Sequence, residues 1–189
     1  MVLTSGFNGL PLRLSKTETL TIGNNAQPQF QYPDHSRKIA GATGGFLNND
    51  FITCGGYYSD ESNTDCTNAC DPSTFTDKCF KLGSEEPFGT MMTKRYLAAS
   101  IVLEDEKIWI LGGSSSKYSD STLSSSEYIF SDGRNEDGPP MPIALQVHAM
   151  VKINETTSFL VGGIHNLDYF YSKRTWYYNG NWIEGPDLN

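Results

Sequence analysis

Short apolar runs, each closed by a double glycine, recur along the chain. They are Ile52-Thr53-Cys54-Gly55-Gly56, Trp109-Ile110-Leu111-Gly112-Gly113 and Phe159-Leu160-Val161-Gly162-Gly163, with the first glycines 57 and 50 residues apart. Small residues form a second marker at Gly41-Ala42-Thr43, Ala98-Ala99-Ser100 and His148-Ala149-Met150. Ala42, Ala99 and Ala149 each stand 13 residues before their glycine. Two markers holding one register three times are the mark of an internal repeat. Between the markers the chain reads as a hairpin. Asn48-Asn49-Asp50, Glu104-Asp105-Glu106 and Asn154-Glu155-Thr156 supply turns, where Asn and Asp tolerate positive φ. The strand before each glycine pair is apolar on both faces, as in Ile108-Trp109-Ile110-Leu111, which predicts cover on both sides.

A third strand follows each glycine pair after a loop of variable length: Lys78–Leu82, Ser126–Phe130 and Thr175–Asn179. A fourth runs toward the exits Phe88–Met92, Gly138-Pro139-Pro140-Met141-Pro142 and Trp182–Leu188. Four short strands per ~50 residues predict an all-β chain of stacked four-stranded units. The units span residues 37–92, 93–141 and 142–189. Residues 1–36 stand apart, with candidate strands at Thr19–Ile22 and Gln27–Tyr32, and read as the end of a preceding unit or as a flexible leader. Composition agrees: 18 Gly, 12% aromatic and only 19% charged residues favour strands and tight turns.

These features resemble the kelch family of β-propellers. The matching residues are Gly55, Gly56, Gly112, Gly113, Gly162 and Gly163, with Tyr177, Trp182, the Gly-Pro exits, and Arg95 and His148 before the small-residue strand. The resemblance covers roughly residues 37–189. It is closest to divergent animal kelch-like proteins with Cys directly before the double glycine, as at Cys54. The late tryptophan occurs only as Trp182, with Phe88 in the first copy. The resemblance implies an incomplete propeller of about three blades, because propellers close with about four to eight. Its terminal blades should then expose apolar faces lined by Phe159 and Val161, or by Phe51 and Cys54, and favour self-association.

Cys54, Cys66, Cys70 and Cys79 fall within 26 residues. Cys54 and Cys79 flank one loop on neighbouring strands, so their α-carbons should lie under ~7 Å apart and admit a disulfide, with Cys66–Cys70 as a local second pair. Buried thiols and a zinc site are the alternatives; the C-x11-C-x3-C-x8-C spacing lacks paired C-x2-C knuckles. Clustered cysteines favour an extracellular setting, although the first residues do not read as a secretory signal. Asp60, Glu61, Asp65, Asp71 and Asp77 do not follow a calcium-loop spacing and read as a solvated loop. Asn154-Glu155-Thr156 is a glycosylation sequence on a hairpin tip.

His35, His148 and His165 are the only histidines, and no nucleophile-base set, zinc motif or phosphate loop accompanies them. No catalytic residue, metal or cofactor is assigned, and the expected class is not an enzyme. A net charge of −8 without a basic run argues against nucleic-acid and membrane partners. The expected function is a protein-binding scaffold that presents loops Tyr57–Asp77, Ser114–Ser125 and Ile164–Arg174. Tyr57, Tyr58, Tyr118, Tyr169, Phe170 and Tyr171 are its candidate contacts. Glycan binding by the same loops is the alternative. A less favoured one is a fragment of a propeller enzyme of the copper radical oxidase type.

Overall fold

The computed structural model describes residues 39–58, 75–104, 106–116, 121–165 and 171–189, together with the backbone of two earlier strands. Those strands, β1 (Val2–Phe7) and β2 (Arg13–Thr19), form an antiparallel hairpin. Only Thr19 of the expected Thr19–Ile22 strand is in β2, and Gln27–Tyr32 lies outside the described residues. Residues 8–12, which connect the two strands, lie outside the described residues.

Three antiparallel four-stranded sheets follow in chain order, each a simple meander. Sheet 1 contains β4 (Thr43–Leu47), β5 (Asp50–Cys54), β7 (Lys78–Lys81) and β8 (Pro87–Thr90). The short pair β3 (Ile39–Ala40) and β6 (Tyr57–Tyr58) flanks it. Sheet 2 contains β9 (Ala99–Leu103), β10 (Lys107–Leu111), β11 (Ser126–Phe130) and β12 (Asn135–Gly138). Sheet 3 contains β13 (Ala149–Lys152), β14 (Ser158–Val161), β15 (Thr175–Tyr178) and β16 (Trp182–Glu184).

Ala99 pairs with Leu111 and Ala149 with Val161, but the residue opposite Cys54 is Thr43. Ala42 is therefore one position out of register and corresponds to Ala98 and His148. The cause is the first turn. Leu47 pairs with Asp50, so only Asn48 and Asn49 connect the strands, at φ 50° and 67°. Two successive positive φ values make the tight turn that matches strand twist, and Asn adopts them readily. The second hairpin has three connecting residues, because Leu103 pairs with Lys107.

Side-chain alternation sorts the core into two layers. Ile108 and Ile110 of β10, with Ile129, pack against Leu47, Ile52, Cys54, Cys79 and Met91 on the side of sheet 1. Trp109 and Leu111, the alternate residues of β10, pack with Ile101 against Met150, Leu160 and Trp176 of sheet 3. Sheet 2 is thus covered on both faces, which is why β10 has no polar position between Ile108 and Leu111. Each such side chain contributes roughly 1.5–3 kcal/mol by leaving water. Cys54 faces sheet 2 at 1% exposure, so it does not line a bare face. Phe51, its odd-numbered neighbour on the strand, is half-buried. Phe159 and Val161 are also half-buried, and on the same face of sheet 3 Val151 and Ile183 are exposed.

Backbone bonds connect the repeats in sequence. Leu97 donates its N–H to Gly41 O at 2.8 Å, and Val147 donates to Leu97 O at 2.9 Å. These residues occupy one position in the three copies, at φ 66°, 55° and 57°. A branched valine rarely adopts such a φ, and here the hydrogen bonds and surrounding sheets hold it. A second series runs from Gly56 N–H to Arg95 O and from Gly113 N–H to Leu145 O, both 2.8 Å. A Cβ on Gly112 would lie 2.5 Å from Leu145 O, whereas one on Gly162 would meet nothing within 4 Å. The double glycines of the first two copies therefore serve both a positive φ and a close approach to the next repeat.

Candidate functional site

One end of each sheet carries the glycine pair and the loop that follows it. The loops differ in length, but their bases are alike. Bridges join Tyr57 to Phe75, Ser114 to Thr122 and Ile164 to Tyr171. One residue further on, Thr76, Leu123 and Ser172 donate N–H bonds to Gly56, Gly113 and Gly163 O at 3.0, 2.8 and 2.8 Å. The preceding connection supplies the other side of each base through Ala40–Tyr57, Tyr96–Ser114 and Gln146–Ile164 pairing. Loops of any length can thus leave one rigid frame.

Tyr57 is half-buried, with ring centroids 5.7 Å from Phe75 and 5.8 Å from Tyr96; Phe75 and Tyr96 are 4.7 Å apart. This cluster anchors the base of the first loop. The backbone of Tyr58 pairs with Ile39 in β6. Tyr118, Tyr169 and Phe170 lie outside the described residues, as do Cys66 and Cys70. Tyr171 is 83% exposed and lines a cavity of about 420 Å³ at the glycine end of sheet 3. Ile143 gives that cavity an apolar wall, Ser172 a hydroxyl, and His165, Lys173 and Arg174 basic groups beside the one carboxylate among its described lining residues, that of Asp187. Arg174 Nε approaches Glu184 at 3.9 Å with both side chains more than half exposed, so that contact restrains it little. The reading based on tyrosines alone misses the basic groups. Their signal is Lys173-Arg174 at the loop's end in an acidic chain.

Beneath the loops lies a buried ion pair. Arg95 and Glu127 are 2% and 1% exposed, with Arg95 Nε–Glu127 Oε1 at 2.9 Å. Arg95 also donates to Gly112 O, Ser125 O and Ser125 Oγ, and Glu127 Oε2 accepts the Met92 N–H at 2.6 Å. Burial pulls the Arg95 pKa down from its ordinary value, and Glu127 opposes that pull by charge and hydrogen bond. With this many partners the pair acts as a structural clamp between the connection and sheet 2.

His148 is 8% exposed, and neither ring nitrogen has a hydrogen-bond partner among the described residues. Desolvation lowers its pKa to about 4. The imidazole is therefore a neutral packing group at neutral pH. Cys54 and Cys79 are directly paired on β5 and β7 and form a disulfide with α-carbons 4.0 Å apart, as their flanking positions predict. Among the described residues no three His, Cys, Asp or Glu side chains come together as a metal-binding group. No helix there is long and apolar enough to cross a membrane. Asn154 is exposed on the β13–β14 turn. No protein-family model matches the chain, and no curated protein matches it.

Proposed function

We propose that the chain is an arc of three kelch-type propeller blades whose glycine-end loops form a protein-binding surface. Serial packing of sheets 1, 2 and 3, with the repeated bonds at Gly41, Leu97 and Val147, supports the propeller reading. The outward face of sheet 3, with Val151, Phe159, Tyr177 and Ile183 in one row, repeats the placement of Ile101, Trp109 and Tyr128 in sheet 2. It is suited to receive a further blade or a second copy.

The observation that carries the binding reading is the common loop base. The same bridge and the same N–H bond close three loops of different length at one end of the molecule. A rigid frame lowers the entropy lost when its loops engage a partner. Tyr171, with little packing role at its exposure, is the anchor to test. Affinity capture with the wild-type chain and with Tyr171→Ala should recover a protein that the variant loses, at unchanged melting temperature. Equal recovery by the variant would exclude sheet 3's loop from the binding surface.

The cavity supports a second reading, an acidic saccharide. Lys173, Arg174 and His165 suit a carboxylate or sulfate, and Tyr171 a sugar face. A glycan array distinguishes the two: binding confined to acidic sugars and lost in Lys173→Ala/Arg174→Ala would favour the saccharide.

A further inference from the structure

The hairpin tip opposite the glycine loops carries chemistry that the binding reading does not use. Asn154-Glu155-Thr156 is the chain's one Asn-X-Ser/Thr sequence. It lies in the turn between β13 and β14, at the far end of β14 from Gly162, and all three residues are exposed. Asn154 Oδ1 accepts the N–H of Thr156 at 3.0 Å, the N–H of Thr157 at 2.8 Å and the Thr156 hydroxyl at 3.1 Å. The side-chain carbonyl is thus held against the backbone, and Nδ2 has no protein partner among the described residues. We infer that Asn154 Nδ2 is the acceptor of an N-linked glycan, added as the protein passes through the secretory route.

An independent observation indicates the compartment. The Cys54–Cys79 bridge is 1% and 0% exposed and belongs to the sheet 1 core, so it forms where proteins fold under oxidising conditions. Asparagine glycosylation occurs in the same lumen. The donor is a lipid-pyrophosphate-linked oligosaccharide and the catalyst an oligosaccharide transferase. Asn154 Nδ2 attacks C1 of the first sugar and forms the N–C1 bond. The C1–O bond to phosphate breaks, and the lipid pyrophosphate leaves with the electron pair. The displaced amide proton passes to a base of the transferase. A sugar there flanks Ile153, which is 54% exposed, and leaves the glycine-end loops open. The inference rests on the turn and the disulfide, not on the loop-binding reading.

The test is translation of the full chain behind a secretory leader in the presence of microsomes. Protection from added protease identifies translocated chains. The expected result is a slower-migrating protected band that returns to the unmodified position with peptide-N-glycosidase, which converts Asn154 to Asp. Thr156→Ser should keep the shift; Asn154→Gln and Thr156→Val should abolish it. Protected wild-type chains that run at the unmodified mass would overturn the inference. So would a shift that survives Asn154→Gln. The readout does not require that a variant fold or that any partner bind.

Discussion

The two junctions between sheets share a backbone frame and differ in what fills it. At the junction of sheets 1 and 2, Arg95 and Glu127 form the buried ion pair, and Ser100 Oγ lies 2.6 Å from Thr43 Oγ1, 3.0 Å from Gly44 N and 2.7 Å from Gly44 O. At the junction of sheets 2 and 3 the same positions hold Leu145, Trp176 and Met150, all in one apolar cluster. Trp109 joins it there, 4.7 Å from Tyr178 and 5.9 Å from both Tyr128 and Trp182. Because Arg95 O and Leu145 O accept equivalent glycine N–H bonds, the frame is set by the main chain. Both junctions carry an apolar layer, and at these positions each satisfies burial in its own way, by charge pairing or by apolar packing.

The largest effect should come from unpairing the charged junction. Glu127→Ala leaves the Arg95 guanidinium buried without its counter-charge and should cost about 3–5 kcal/mol in denaturant unfolding. Importing the other junction's pair, as Arg95→Leu/Glu127→Trp, should recover most of that loss, because a buried ion pair replaced by well-packed apolar groups is often neutral or stabilising. A double variant no more stable than Glu127→Ala would show that the junctions are not interchangeable and that the frame depends on the charge.

The covalent link in sheet 1 comes next. Cys79 occupies the position of Ser126 and Thr175, whose hydroxyls donate to Pro139 O at 2.7 Å and Pro186 O at 2.8 Å and so tie the fourth strand to the third. Sheet 1 lacks that hydroxyl and is tied instead from β7 back to β5. Cys54→Ala/Cys79→Ala should lower stability by about 3 kcal/mol through the freed 25-residue separation. The loss is read as a fall in the extrapolated unfolding free energy in urea, with a steeper slope because the unfolded chain is no longer constrained. A fall no larger than that of Ser126→Ala would mean that the bridge adds nothing beyond the hydroxyl it replaces.

Much of this was legible in the residues. The glycine pairs predicted three hairpins, and the apolar run Ile108–Leu111 predicted a strand covered on both faces, because burial on two sides removes polar alternation. The Cys54–Cys79 pairing followed from their places on adjoining strands. The register of Ala42 is not legible there, because a loop length, not a residue type, sets it. The Arg95–Glu127 pair joins positions 32 residues apart, and pairing across that distance has no local signature. Positive φ at Leu97 and Val147 contradicts local preference and is imposed by the neighbouring repeats. The cavity of His165, Tyr171, Lys173 and Arg174 depends on how the final segment folds back, with Leu188 N–H on Lys173 O at 2.7 Å.

His148 gives the aromatic junction a pH dependence that the charged one lacks at the same position, where Ala98 stands. Its folded pKa, about 4, lies below the ordinary 6.5, so the unfolded chain binds the proton more tightly. The contribution of the neutral ring is complete above pH 6.5 and is lost as pH falls toward 4. Between pH 8 and pH 5 wild-type stability should fall by about 2 kcal/mol more than that of His148→Ala, which copies Ala98. Parallel pH profiles for the two proteins would remove His148 as the cause.

The smallest effect separates the junctions most finely. Ser100 is half-buried, and its hydroxyl serves both backbone groups of Gly44 on the neighbouring sheet as well as the Thr43 hydroxyl. Ser100→Ala removes the inter-sheet bonds but keeps the strand, so the cost should be about 1 kcal/mol, that of a typical hydrogen bond in partial contact with water. Met150, in the same place at the apolar junction, makes no such bond, and Met150→Leu conserves volume and should also cost under about 1.5 kcal/mol. Stability alone does not distinguish these outcomes. Amide exchange does: Ser100→Ala should speed exchange at Gly44 specifically, because its N–H loses its acceptor, while Met150→Leu should leave Gly44 unchanged. Unaltered protection at Gly44 in Ser100→Ala would mean that apolar contact between Leu47, Ile52 and sheet 2 holds the charged junction together without the hydroxyl.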